Sequence, residues 1–346
     1  MHKKAQIIWL LSTCFLIWVL IIVGGITRLT HAGLSIVEWN PITGIIPPLT
    51  DQAWINEFTH YQQFPEYQHV NQGMTLGAFK GIFWMEFAHR LLARLIGLWF
   101  FAPLVYFWIK GQLTSSLKRR SLLILLLGGL QGFVGWYMVK SGLIKDPTVS
   151  HYRLTLHLGL ALMLYGVLLW TAFDLINISP HPSLSSSIIN LTRISCGAVI
   201  VTILYGGLVA GLKAGLIYNT FPLMEGQWLP GEWLFLKPWW WNFLENHATV
   251  QWTHRLMALI TLACIGITTL KISQRPSPHP LKQAALLFAA AAVLQTILGI
   301  ITLLATVPIA LAALHQASAV LLLSCGLWTL YQASGKTLNP KIEFYS

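Results

Sequence analysis

Four histidines lie inside apolar stretches of this 346-residue chain: His89, His157, His254 and His315. Imidazole is a common ligand for transition metals and for haem iron, and a polar ring in lipid is costly unless it is used. Glu86 precedes the first histidine by three residues, and Arg90 and Arg94 follow it. That spacing puts Glu86 and His89 on one face of a helix. At the matching place before His254 stands Gln251, and Arg255 follows directly. The pattern keeps the imidazole and the guanidinium but exchanges an acid for an amide. A carboxylate within an apolar span is a functional candidate, as a proton acceptor or donor. A hydrogen bond to a neighbouring helix is the structural alternative.

The elements that carry these residues must be membrane helices. The chain is 55% hydrophobic and only 10% charged, where a soluble domain carries about 25% charge. Eight apolar runs are long enough to cross a bilayer: 7–26, 82–108, 121–139, 154–176, 194–212, 248–270, 284–306 and 310–332. The expected class is an all-α polytopic membrane protein. With the N-terminus inside, the inner segments hold twelve Lys and Arg against Asp174 and Glu343, whereas the outer segments balance seven bases with eight acids. Basic excess marks the inside, so both termini are expected in the cytoplasm. The net charge of +11 is then topology rather than a nucleic-acid footprint. The leading MHKK and first span lack a small-residue cleavage site and read as an uncleaved anchor, with a bacterial inner membrane as the expected location. Cys14, Cys196, Cys264 and Cys325 show no metal-type spacing and read as small apolar filler.

The chain repeats itself. Gly24-Gly25 with Ala32-Gly33-Leu34 recurs as Gly206-Gly207 with Ala214-Gly215-Leu216. His89-Arg90-Leu91 recurs as His254-Arg255-Leu256, Leu130-Gln131 and Gly135 as Leu294-Gln295 and Gly299, and His157 as His315. Two parallel four-helix bundles are expected, residues 1–176 and 194–346, joined by a cytoplasmic linker at 177–193. The tryptophans of outer loops 28–81 and 213–247 read mostly as interface anchors. The rows Gly207, Gly211, Gly215 and Gly128, Gly132 read as close helix packing, and make self-association of the protein an expectation.

One histidine falls on each of the second, fourth, sixth and eighth spans, all roughly 5–11 Å below the outer boundary at 1.5 Å per residue. A lone imidazole in an apolar helix is ordinarily a satisfied core residue. Four at matched depth, one pair to a bundle, suit a haem iron clamped from both sides. Zinc wants three or four ligands. Arg90 and Arg255 are candidates for contacts with haem propionates; snorkelling or helix pairing is their plainer reading.

At these residues the chain resembles the haem A synthase family. The resemblance is carried by Gly24-Gly25-Ile26-Thr27-Arg28-Leu29-Thr30, Ala32-Gly33-Leu34-Ser35, Trp39-Asn40-Pro41, Met85-Glu86-Phe87-Ala88-His89-Arg90 and Tyr152-Arg153-Leu154 with His157-Leu158-Gly159. In the second half it is carried by residues 207–215, Tyr218-Asn219-Thr220-Phe221-Pro222, residues 251–255 and His315-Gln316. Loop 28–81 lacks the cysteine pair of one branch of the family, so the similarity is to the proteobacterial and mitochondrial branch. The resemblance implies that a methyl group of haem O is oxidised to a formyl group by successive hydroxylations. It implies haem b on His254 and His315, substrate haem O on His89 and His157, and Glu86 acting at the methyl. It also implies a handover from haem O synthase, the enzyme that farnesylates haem b, and a membrane electron donor or acceptor. The rivals are a dihaem electron-transfer cytochrome and a haem carrier. Neither needs Glu86 to differ from Gln251. His31 and His151 lie near the same outer level without an assigned role.

Overall fold

The structure, a computed structural model, describes residues 2–40, 43–144, 147–176 and 186–335. Eight helices are long and apolar enough to cross a membrane: α1 (His2–Leu29), α2 (Leu76–Ile109), α3 (Ser115–Gly142), α4 (His151–Ile176), α5 (Ser186–Gly211), α6 (His247–Ser273), α7 (His279–Leu304) and α8 (Ile309–Ser334). Leu126 and Leu287 are 69% and 61% exposed, which suits lipid and would be unfavourable in water. No strand forms among the described residues; Met224 and Gln227 make one isolated bridge.

Each expected span is found, and each helix outruns its apolar core. Thr75 and Thr114 cap the first turns of α2 and α3 by accepting from Ala78 N and Leu117 N, and Asn246 caps α6 by accepting from Ala248 N and Thr249 N. Gly335 closes α8 in the left-handed conformation. Two boundaries moved. α5 begins at Ser186, inside the expected linker 177–193, because the polar turn before the apolar run is helical too; residues 177–185 of that linker lie outside the described residues. α2 begins at Leu76 rather than near 82 because its first two turns serve the outer loop instead of the membrane. Phe79 and Phe83 there bury against Trp54, Tyr61 and Phe58 of the short helix Asp51–Tyr61. Trp54 is thus a packed residue and not an interface anchor, whereas Trp39, Trp228 and Trp239-Trp240-Trp241 remain exposed.

In the first half α1 packs on α2 and α4, and α3 on α4. In the second, α5 packs on α6 and α8, and α7 on α6 and α8. The halves meet along α4–α5 and α1–α8. Trp18 Nε1 donates to Ala317 O (3.0 Å) and Tyr165 pairs with Ser324 (2.8 Å) across this seam. A single apolar core, with Leu10, Leu168 and Ile265 fully buried, runs through both halves. At the inner end Arg120 pairs with Asp174 at 2.5 Å.

The outer cap carries a titratable lock. Glu66 is buried and accepts from Tyr61 OH at 3.1 Å. Burial pushes its carboxyl up to about 7. The folded cap therefore holds the proton more tightly than the unfolded loop does. Its stability is greatest below the ordinary carboxylate value of 4.5 and declines as pH rises towards about 7. Hydrogen exchange of peptide 51–71 in the wild type is expected to speed up between pH 5 and pH 8 beyond the intrinsic rate. Glu66→Gln should flatten that change. Protection that grows with pH would show the lock to be misread.

Candidate functional site

The site begins with glycines. Each span histidine lies over a glycine of the preceding helix. Cβ atoms built on Gly24, Gly135, Gly206 and Gly299 would lie 3.0, 3.1, 3.2 and 2.8 Å from the rings of His89, His157, His254 and His315. Only a residue without a side chain lets imidazole and backbone approach so closely. His157 comes within electrostatic reach of His89, and His254 of His315, which gives one pair to each half. His157, His254 and His315 sit about two turns into their helices and His89 about three and a half. The difference is the extra length of α2 that the outer cap uses.

Glutamines fix two of the rings. Gln131 Nε2 lies 3.3 Å from His157 Nε2 and donates to His157 O at 3.1 Å. Gln295 Nε2 lies 3.1 Å from His315 Nδ1 and donates to His315 O at 3.0 Å. Ser318 donates in turn to Gln295 Oε1. Such partners set ring orientation at ligand sites. Gln131 and Gln295 appear in the sequence only as members of the repeat; that each stands four residues before Gly135 or Gly299 was the available signal.

The acid and the amide anchor the outer turns. Glu86 is 2% exposed. One oxygen accepts from Ser35 Oγ (2.7 Å) and Ile36 N (2.9 Å); the other accepts from Arg90 Nε (3.1 Å) and Nη2 (2.7 Å). Arg90 also donates to Ile36 O and Glu38 O at 2.8 and 2.9 Å. In the second half Gln251 Nε2 donates to Ala214 O and Tyr218 O at 3.0 and 3.2 Å, and its oxygen accepts from Arg255 Nη2 at 3.1 Å. Arg255 Nη2 reaches Tyr218 O at 2.8 Å. Glu86 and Gln251 thus hold equivalent stations under the Ala-Gly-Leu turns. All three Arg90 nitrogens are engaged with protein, whereas Arg255 Nε is buried without a partner.

His151 packs over Gly211, with Nε2 3.6 Å from Glu245, and so ties α4 to the second outer loop. His31 takes a left-handed turn conformation at the end of α1, as Lys213 does at the end of α5. Neither reaches the histidine pairs. Gly207 packs against Thr155 and Leu158, so that row is spent inside the molecule; Gly128 and Gly132 meet nothing within 4 Å, against the expectation of close packing.

Among the described residues no three His, Cys, Asp or Glu side chains gather to hold a bare metal ion. Two imidazoles per half, with His157 Nδ1 and His254 Nδ1 buried and unpartnered, fit a macrocycle that brings its own equatorial ligands. All four histidines are half-buried.

Known proteins match this chain over nearly its whole length. A family model described as cytochrome oxidase assembly protein matches residues 7–327. A Nitrosospira multiformis protein named "Heme A synthase" is 46% identical, with 95% of this chain and 94% of the relative covered. A Nitrosomonas eutropha protein of the same name is 46% identical over 94% and 93%. One from Wolbachia pipientis wMel is 42% identical over 100% and 97%.

If the glutamine and glycine hold His315 for a ligand, Gln295→Leu should weaken retention of haem by the second half about tenfold. Gly299→Ala, whose Cβ would press on His315, should weaken it further. Haem-to-protein ratio and the bis-histidine absorption spectrum measure both. Unchanged ratios in the two variants would remove these residues from the site.

Proposed function

The chain belongs to the cytochrome oxidase assembly protein family, and from that premise we infer that it is an enzyme making haem A from haem O. The carrying observation is that it covers proteins named "Heme A synthase" nearly end to end while presenting two pairs of glycine-seated histidines. His254 and His315 hold haem b as a resident cofactor, which supplies one-electron transfer when bound. His89 and His157 hold the substrate haem O. The bundle of residues 1–176 is thus the substrate half and that of 194–346 the cofactor half.

The reaction is oxidation at a CH group. The methyl loses two electrons and takes oxygen from water to give the alcohol; a second round gives the gem-diol, which loses water to the aldehyde. Four electrons and four protons leave in all, the electrons to a membrane acceptor. The substrate iron, with both faces taken by imidazole, offers no open position, so the protein's own groups must handle the protons. Glu86 is the acid–base group at the reacting methyl. Its four hydrogen bonds hold the carboxyl aimed before reaction, two to Ser35 and Ile36 and two to Arg90. The second half needs no such group and carries Gln251. Haem O arrives from haem O synthase. Basic inner segments support a bacterial inner membrane with both termini in the cytoplasm.

The test uses a host that makes haem O but not haem A. Mass spectrometry of extracted haems should show haem A, or its hydroxylated precursor, only when the protein is present. Glu86→Gln, which keeps the size and the two hydrogen bonds to one oxygen, should cut conversion by about 100-fold or more with haem b retained. Persistence of haem O alone, with the protein inserted, loaded with haem b and supplied with an electron acceptor, would return the weight to electron transfer or carriage. Full conversion by Glu86→Gln would remove Glu86 from the chemistry.

A further inference from the structure

The two halves differ along one seam. In the second half α6 and α7 pack along their length, and Thr269 Oγ1 donates across to Ala285 O at 3.1 Å. The corresponding helices of the first half, α2 and α3, scarcely meet. Between them, towards the inner face, lies an apolar cavity of about 260 Å³ lined by Phe101, Leu104, Val105 and Trp108 of α2 and Leu122 and Leu125 of α3. Leu104 stands where the repeat puts Thr269, the residue that closes the other seam. Pro103 lies at the same level of α2 and has no N–H to close its turn.

Above the cavity the seam stays open up to the histidines. Gly97 on α2 and Gly128 and Gly132 on α3 are exposed and meet no atom within 4 Å. Their counterparts in the second half are Leu262, which packs on the core, buried Ala292, and Thr296. The head of the cleft is Gly135, under the ring of His157, whose Nδ1 is buried and unpartnered; Gln131 Oε1 beside it is likewise buried and unpartnered. The cavity begins about 18 Å below His89 along α2, and about 15 Å below Gly135 along α3. That is too far for a porphyrin alone and suits a porphyrin bearing a long prenyl tail.

We propose that the α2–α3 cleft is the binding site of the farnesyl chain of the substrate haem, and the side door through which that haem enters from the lipid. This rests on the reading of the first half as the haem O site. A tail lying in the cleft meets apolar side chains and bare glycine backbone, and draws the ring up between His89 and His157. The second half, its seam filled, keeps its haem and admits no tail.

Titration of the haem b-loaded protein in lipid nanodiscs with haem O and with additional haem b tests this. The wild type should bind haem O at least tenfold more tightly than haem b at the exchangeable site. Leu125→Trp, which fills the cavity, should bring the two affinities together and slow conversion about tenfold, with the spectrum of the resident haem unchanged. Gly128→Leu, which meets no neighbour that could disturb folding, is the second variant and should act in the same direction. A cavity-filled variant that keeps the wild-type preference overturns the cleft, as does a wild type that converts haem O without preferring it. A wild type that prefers haem O but never converts it leaves the cleft standing and overturns the enzyme reading. A wild type that does neither overturns both.

Discussion

The molecule turns on a contact between imidazole and backbone. Each span histidine rests on a glycine of the preceding helix, and a Cβ at any of the four glycines would come within 3.2 Å of the ring. The contact fixes how near neighbouring helices come. The paired glycines do more. Gly24 seats His89, and adjacent Gly25 makes room for Gln316, the neighbour of His315, whose Nε2 donates to Ile21 O at 2.7 Å. Gly206 seats His254, and adjacent Gly207 makes room for Thr155 and Leu158, either side of His157. One residue of each pair builds its own half; the other locks that half to the opposite site. The two halves are thus locked together next to the histidines, through bare backbone and the Gln316 side chain that lies on it.

On this common frame the halves differ in charge. The stations under the two Ala-Gly-Leu turns are filled by Glu86 with Arg90 and by Gln251 with Arg255. The amide satisfies its turn as a neutral group. The carboxylate does so as half of a buried ion pair, which carries a desolvation cost that a neutral pair avoids. The two turns present opposite groups: the first offers donors, Ser35 Oγ and Ile36 N, to an acceptor, and the second offers carbonyls, Ala214 O and Tyr218 O, to a donor.

Hydropathy alone exposed eight spans, because lipid forces the backbone to satisfy itself within each helix. Histidine placement, the glycine pairs and the Glu86–Gln251 exchange were legible for the same reason: polar or bare positions stand out against an apolar ground. What escaped reading depends on partners distant in sequence. Trp54 could not be told from an interface anchor until Phe83 of α2 was found against it. The two extra turns of α2 are set by that same packing. The carbonyl partners of Arg90, Ile36 and Glu38, could not be read because they lie more than fifty residues upstream. Gly128 and Gly132 have the spacing of a packed helix face, yet spacing does not say whether a neighbour is there.

That last case follows from the solvent. In lipid an apolar helix face gains little by leaving its surroundings for another apolar face, so helices adhere where small residues permit close contact and hydrogen bonds cross. The α1–α8 seam has both, with Gln316 seated on Gly25 and bonded into α1, and at the α4–α5 seam Gly207 and Gly211 admit α4. The α6–α7 seam has Thr269 bonded to Ala285 O and an Ala292 that is 3% exposed. Between α2 and α3 the glycines are present, yet they face no atom within 4 Å and the facing residues below them are bulky and apolar. Nothing there outbids a lipid chain or a prenyl tail. A bundle that releases its product needs such a seam, and a bundle that keeps its cofactor needs the opposite.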